Sequence, residues 1–157
     1  MIRPATSADA DAIAAIWNHY IRTTTVTFLP DEKTQAEVAA LIAGPDPVLV
    51  AEVAGRVSGF ARYFPFRAGR GYVHTVEHTV LLAPGAEGAG QGRALMTSLV
   101  DHARAHAKHS IWAGVSAENE AGVAFHGRLG FVTVARLPEV GFKFGRWIDL
   151  VLMQKML

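Results

Sequence analysis

Residues 84–95 read PGAEGAGQGRAL, with glycine at positions 85, 88, 90 and 92. The apolar stretch Val80-Leu81-Leu82-Ala83 runs directly into this segment. A helix-like run follows it, with Leu95, Met96, Leu99, Val100 and Ala103 on one side. A strand, a loosened backbone and a helix in that order narrow the folds open to the chain. A helix N-terminus presents unpaired amide hydrogens and a partial positive charge. Glycines ahead of it let the backbone approach a ligand closely and take positive φ angles. The passage therefore suits a phosphate or pyrophosphate site, with a plain flexible surface loop as the competing reading. The loop lacks the Gly-Lys-Ser/Thr ending of a nucleotide-triphosphate loop. Position 93, where a dinucleotide fingerprint needs glycine, is Arg93.

The flanking sequence predicts the rest of the architecture. Ser7 is placed to cap a first helix, with Ile13, Ile16, Trp17 and Tyr20 along one apolar face. Thr34 and Glu37 have capping-box spacing for a second helix, which Gly44-Pro45 stops. Strands are expected at 48–53 and 57–64, joined by an Ala54-Gly55 turn, and at roughly 72–82. After the glycine loop come a helix to about 107, a strand at 110–115, and a helix capped near Asn119 and closed by Gly130. Two last strands fall at 131–136 and 141–154, and a short one at 1–5. The order is that of an α/β chain with a mixed sheet and helices on its faces.

A chain of 157 residues suits one domain, here 1–157, with a sizeable core. Half its residues are hydrophobic and 18% are charged, a globular balance. A net charge of +1 gives no broad attraction to nucleic acid. The absence of cysteine excludes disulfides, zinc–thiolate sites and a cysteine nucleophile. No leader-like segment and no membrane span are evident, so the expected compartment is the cytoplasm.

The stretch Glu87-Gly88-Ala89-Gly90-Gln91-Gly92 resembles the pyrophosphate loop of the GNAT acetyltransferases, Q/R-x-x-G-x-G/A, with Glu87 departing from its first position. IRPATSADADAIAAIWNHY, FRAGRGYVHTVEHTV, NEAGVAFHGRLGF and VGFKFGRWIDLVLMQ follow the order and spacing of the phosphinothricin and methionine-sulfoximine acetyltransferase subgroup. This resemblance covers nearly the whole chain. It implies the splayed, mostly antiparallel sheet of that family, acetyl-CoA as donor, a small amino-acid-like amine as acceptor, and a homodimer.

It also implies roles for residues. Glu77 matches the subgroup's general base, which frees the amine of its proton. A carboxylate among Val76, Thr79 and Val80 is open to desolvation, which raises its pKa. The backbone of Val80, Leu81 and Leu82 would bind the pantetheine arm, and Gly88, Ala89, Gly90, Gln91, Gly92 and Arg93 the pyrophosphate. Asn119 and His126 would lie beside the cofactor. Arg70 and Tyr72 fit an acceptor carboxylate, and Phe28, Phe142 and Trp147 an apolar wall. Each of these aromatics equally suits the core. Lys143 and Asp149 also match the subgroup pattern. His74 and His78 are spaced to share a strand face, and His102 and His106 a helix face, but no third ligand is evident and no metal is expected. With neither a triad nor a cysteine, direct transfer in a ternary complex is expected. The rival readings are a non-catalytic acyl-CoA-binding module and a protein N-terminal acetyltransferase.

Overall fold

The computed structural model describes residues 1–157. Seven strands form one sheet: Ile2–Pro4 (β1), Val48–Val53 (β2), Arg56–Pro65 (β3), Thr75–Leu82 (β4), Ser110–Ser116 (β5), Val132–Lys143 (β6) and Arg146–Met156 (β7). Four helices accompany them: Ala10–Thr23 (α1), Gln35–Ala43 (α2), Gln91–Ala105 (α3) and Glu120–Arg128 (α4). The sheet order is β1-β2-β3-β4-β5-β7-β6. Every pairing is antiparallel except β4 with β5. That parallel pair joins only Thr75–Ser110, Val76–Ile111 and Glu77–Trp112. Beyond it each strand stays paired only with its outer neighbour, β4 with β3 and β5 with β7, so the sheet forks at Glu77.

Alternation along the strands builds a core on each face. Phe60 and Leu81 face α1 and α2, where Phe60 meets Trp17 at 5.2 Å between ring centroids. Ala61, Tyr63, Val76 and Ile111 face the opposite way, onto Leu95, Met96 and Leu99 of α3. The two faces are both covered, which leaves the fork between β4 and β5 as the main opening in the sheet.

Several boundaries differ from the sequence expectation. The first helix is entered through a tight 3-10 turn at Ser7–Asp9, with Thr6 rather than Ser7 at the cap. The Thr6 amide donates to Asp9 Oδ2 at 2.8 Å, and Arg3 grips the same carboxylate, holding its pKa down to about 2. The Thr34–Glu37 capping box forms as read: Thr34 N–H donates to Glu37 Oε2 at 2.7 Å and Glu37 N–H to Thr34 Oγ1 at 3.2 Å. Residues 70–72 coil into a short 3-10 turn, and β4 starts at Thr75. The break expected between 136 and 141 is an irregularity inside one long strand. Pairing slips from Leu137–Leu150 to Gly141–Ile148, and Glu139 takes φ 50°. Asp149 accepts the Glu139 amide at 2.9 Å and stitches the slip, so the chain turns only at Phe144-Gly145.

Phe60 is wholly buried and supports the strands that floor the opening. Phe60→Ala is expected to lower stability by about 3–5 kcal/mol in urea unfolding.

Candidate functional site

Two cavities meet at the fork. One, of about 310 Å³, lies between β4, β5 and the segment after α1; Trp17, Phe28, Phe64, Glu77 and Leu150 line it. The other, of about 480 Å³, runs past the end of β4 to the start of α3 and along α4. Val26, Val80, Leu81, Asn119 and His126 line both.

The glycine loop shapes the second cavity. Gly88 and Gly90 adopt φ of 83° and 79°, and Gly90 is the N-cap of α3. A side chain at either would meet open space, so the left-handed backbone is what requires glycine there. The first bond of the helix is Ala94 N–H to Gly90 O at 3.0 Å. The amides of Gln91, Gly92 and Arg93 precede it and have no intrahelical acceptor. Gly92 is a glycine for a different reason: a Cβ there would press within 3.3 Å of Phe125 on α4. Three amides and a helix dipole make a seat for an anionic group. Glu87 also lines this cavity, and its charge opposes such an occupant.

Glu77 stands at the crotch of the fork, half-buried, with no Lys or Arg paired to it. Burial raises its pKa above the ordinary carboxylate value. Its carboxylate has room because β5 carries glycine opposite: a Cβ on Gly114 would come within 3.0 Å of Glu77 Oε1. A carboxylate held this way has increased proton affinity, and it faces the smaller cavity.

His78 leaves β4 on the opposite face from Glu77 and is buried against α4. Its Nδ1 lies 2.8 Å from Trp112 O, and His126 Nδ1 lies 2.7 Å from Gly122 O. A carbonyl only accepts, so each Nδ1 carries a proton and donates it. The two Nε2 atoms face each other at 3.0 Å. Burial, and then the neighbouring His126, push His78 down to about 3; burial lowers His126 as well. Burial thus disfavours charge on either ring.

The other expected site residues distribute as follows. Phe28 lines the first cavity. Leu82, Gly88, Gly90, Gln91, Gly92 and Arg93 line the second, while Val80, Leu81, Asn119 and His126 line both. Ala89 lines neither. Arg70 and Tyr72 are also in neither cavity; both are exposed in the 3-10 turn ahead of β4. Phe142 and Trp147 pack on each other at 4.9 Å on the outer face of the β6–β7 hairpin, 54% and 61% exposed. His74 precedes the strand and bonds Ala107 O, so it does not share a strand face with His78. His102 bonds the Tyr63 hydroxyl and stacks on His106. Asn119 caps α4, its Oδ1 accepting the Gly122 N–H at 2.9 Å, and lines both cavities.

Sequence reasoning missed several wall residues. Trp17 and Tyr20 lie at helical spacing and so read as core. Tyr20 lines the second cavity, and its hydroxyl donates to Leu82 O at 2.9 Å. One of the expected pantetheine-binding carbonyls is thus already engaged. Gly114 had a legible signal, since an isolated glycine within a strand marks a close approach.

A strand edge opened beside a helix N-terminus is the arrangement of one acetyltransferase family, and comparison decides the matter: the Acetyltransferase (GNAT) family model matches residues 13–131. The chain belongs to the GNAT family. Among GNAT relatives, the L-amino acid N-acyltransferase MnaT of Escherichia coli is 43% identical over 98% of this chain and 91% of the relative. The L-methionine sulfoximine/L-methionine sulfone acetyltransferase of Salmonella typhimurium is 40% identical over 98% and 92%. Among solved structures, a ribosomal-protein-alanine N-acetyltransferase from Brucella melitensis superposes with a TM-score of 0.97 at 39% identity, covering 100% of this chain and 99% of that one. The yncA acetyltransferase of Salmonella typhimurium, solved with acetyl-CoA, gives 0.96 at 38% identity, covering 100% and 93%. Transfer of an acetyl group is the family's chemistry, and acetyl-CoA suits the second cavity.

Two outcomes follow. Reversing the charge by Glu87→Arg is expected to tighten acetyl-CoA about two- to fivefold in calorimetry, most at low salt; an equal dissociation constant would show a side chain turned to solvent. For His78 the folded pKa lies below the unfolded value of about 6.5, so the unfolded chain binds the extra proton. Stability is then full above pH 6.5 and falls towards pH 3, with a limiting slope near 1.4 kcal/mol per pH unit. Melting curves of His78→Gln should be flatter than the parent's across that window; equal slopes would place the acid sensitivity elsewhere.

Proposed function

We propose that the protein transfers the acetyl group of acetyl-CoA to the amino group of a small amino-acid-like acceptor, of the methionine sulfone, methionine sulfoximine or phosphinothricin type. The observation that carries this is the position of Glu77. Its carboxylate enters the acceptor-sized cavity one wall away from the cofactor cavity. The donor's diphosphate rests on the amides around Gly88–Arg93, and its pantetheine arm lies along the unpaired edge of β4 at Val80 and Leu81. Glu77 takes a proton from the acceptor ammonium, directly or through water, and the freed nitrogen attacks the thioester carbonyl. A backbone amide of the open strand stabilises the oxygen as it gains charge. The chain has no cysteine to form a thioester intermediate, which favours direct transfer in a ternary complex. This chemistry needs no metal.

The whole chain acts as one catalytic unit in this reading. No helix is long and apolar enough to cross a membrane. The cytoplasm, where acetyl-CoA is at hand, is the compartment the reaction needs. A homodimer is favoured by the exposed apolar band of Val140, Phe142, Phe144 and Trp147 along the hairpin. An acceptor at a protein N-terminus is the second reading. It is favoured by the name of the Brucella relative and opposed by a cavity of about 310 Å³ walled by Phe28, Leu29 and Leu150.

Thiol release from acetyl-CoA with a panel of amino acids, their analogues and short peptides separates these readings. Glu77→Gln should lower kcat/KM about 10²- to 10⁴-fold while leaving acetyl-CoA binding intact. In the parent, the rate should fall as pH drops through a Glu77 pKa raised by burial, and the variant should lose that acidic limb. An unchanged rate-versus-pH curve would remove Glu77 from the mechanism.

A further inference from the structure

The segment joining α1 to α2 begins at Thr24, and its first part has no strand or helix of its own. Four of its residues, Val26, Thr27, Phe28 and Leu29, nonetheless wall the acceptor cavity. Without a hydrogen-bonded ladder, its position must be set by what it leans on. The inner face of the β6–β7 hairpin supplies that support.

Lys143, the last residue of β6, is only 5% exposed, and no carboxylate pairs with it. Its ammonium donates to Thr24 O and to Thr27 O, each at 2.7 Å. Two residues earlier on the same face, Gly141 takes the Phe28 ring so closely that a Cβ would fall 2.5 Å from its carbons. A third attachment comes from the far side of the turn. Arg146 NH2 and the Thr25 hydroxyl both donate to Glu118 Oε1 at 2.8 Å. Residues 24, 25, 27 and 28 are each gripped, and the side chains of the last two face the cavity.

A lysine is a costly way to fill a buried space. Removing an ammonium from water disfavours its charge, and burial does lower the pKa of Lys143. An apolar side chain of similar length would fill the space without that cost. What it cannot do is bind two carbonyls three residues apart and so hold that stretch of backbone at one curvature. Gly141 then fixes how deep the Phe28 ring sits.

We propose that Lys143 and Gly141 determine which acceptor side chains the enzyme takes: Lys143 as a positioning residue that clamps the Thr24–Thr27 backbone, Gly141 by setting the depth of Phe28. This rests on the reading that the cavity beside Glu77 receives the acceptor. Neither residue touches the cofactor cavity.

The test is steady-state thiol release with acetyl-CoA and L-amino acids of graded side-chain length, methionine sulfone included. Lys143→Met should raise the KM of the best acceptor at least about tenfold, since a wall shifted by about an ångström misplaces the nucleophile. Its acetyl-CoA dissociation constant should stay the same, and the preference between long and short acceptors should collapse. Lys143→Arg, which keeps a cation able to reach the carbonyls, should recover part of the selectivity. Gly141→Ala pushes Phe28 inward, so it should shift the preference towards shorter side chains; it carries the test if Lys143→Met does not fold. The proposal is overturned if the folded variants keep the parent's acceptor KM and selectivity while only the melting temperature drops. A parent enzyme that acetylates none of these amino acids but does acetylate short peptides overturns the acceptor reading instead.

Discussion

Parallel pairing between β4 and β5 lasts for three residues and then stops, and much of what the protein can do depends on that. Both strands belong to one sheet, yet beyond Glu77 and Trp112 they carry on without each other. A backbone that leaves its ladder has amides and carbonyls in need of partners. On β4 the edge at Val80 and Leu81 is offered to a ligand, while the Leu82 carbonyl is taken by Tyr20. Beside the fork, side chains pack on the α4 side of the sheet. His78 and His126 meet there, with Phe131 against both rings.

Around this opening the polar groups fall into two kinds. The amides at the start of α3 and the Glu77 carboxylate lack protein partners and face cavities. Asp9, by contrast, is held by Arg3 and Thr6, and Glu118 by Arg146 and Thr25, and both carboxyls are depressed to about 2. The contrast follows from placement. A carboxylate with cations beside it is a structural tie, whereas one that is half-buried and unpaired gains proton affinity and becomes available as a base. The same logic makes Glu87 the odd group in the site, since it adds a negative charge where an anion is expected.

The smaller cavity is floored by the central sheet and closed by segments brought to it. One wall is an irregular stretch after α1, and its supports, Lys143 and Gly141, come from 113 to 119 positions later in the chain, on β6. Loops carrying specificity on a rigid frame are a common arrangement. Here the frame reaches the loop through a buried ammonium and a glycine, so the shape of the cavity is coupled to a hairpin whose outer face is apolar and exposed.

Local chemistry made much of this legible from residues alone. The glycine loop announced its left-handed backbone and the helix behind it; Thr34 and Glu37 announced their capping box; the periodicity of residues 95–103 announced the buried face of α3. Each is decided by neighbours a few positions apart, for which the sequence is nearly a complete description. The reading went astray where distant residues intervene. A break is expected between 136 and 141, but pairing with β7 and the reach of Asp149 turn it into a slip within a strand. Arg70 and Tyr72 stand close to Glu77 in sequence, yet β4 carries them away from both cavities. Trp17 is a core residue as read and also lines a cavity, while Tyr20 is only partly buried and walls the other. The sequence by itself determined most elements, the glycine loop ahead of α3 and the carboxylate candidate, because those follow from backbone conformation and residue type. Only the tertiary structure decided how far β4 and β5 stay paired, what Glu77 faces and what holds Phe28, because each is settled by contacts between segments far apart in the chain.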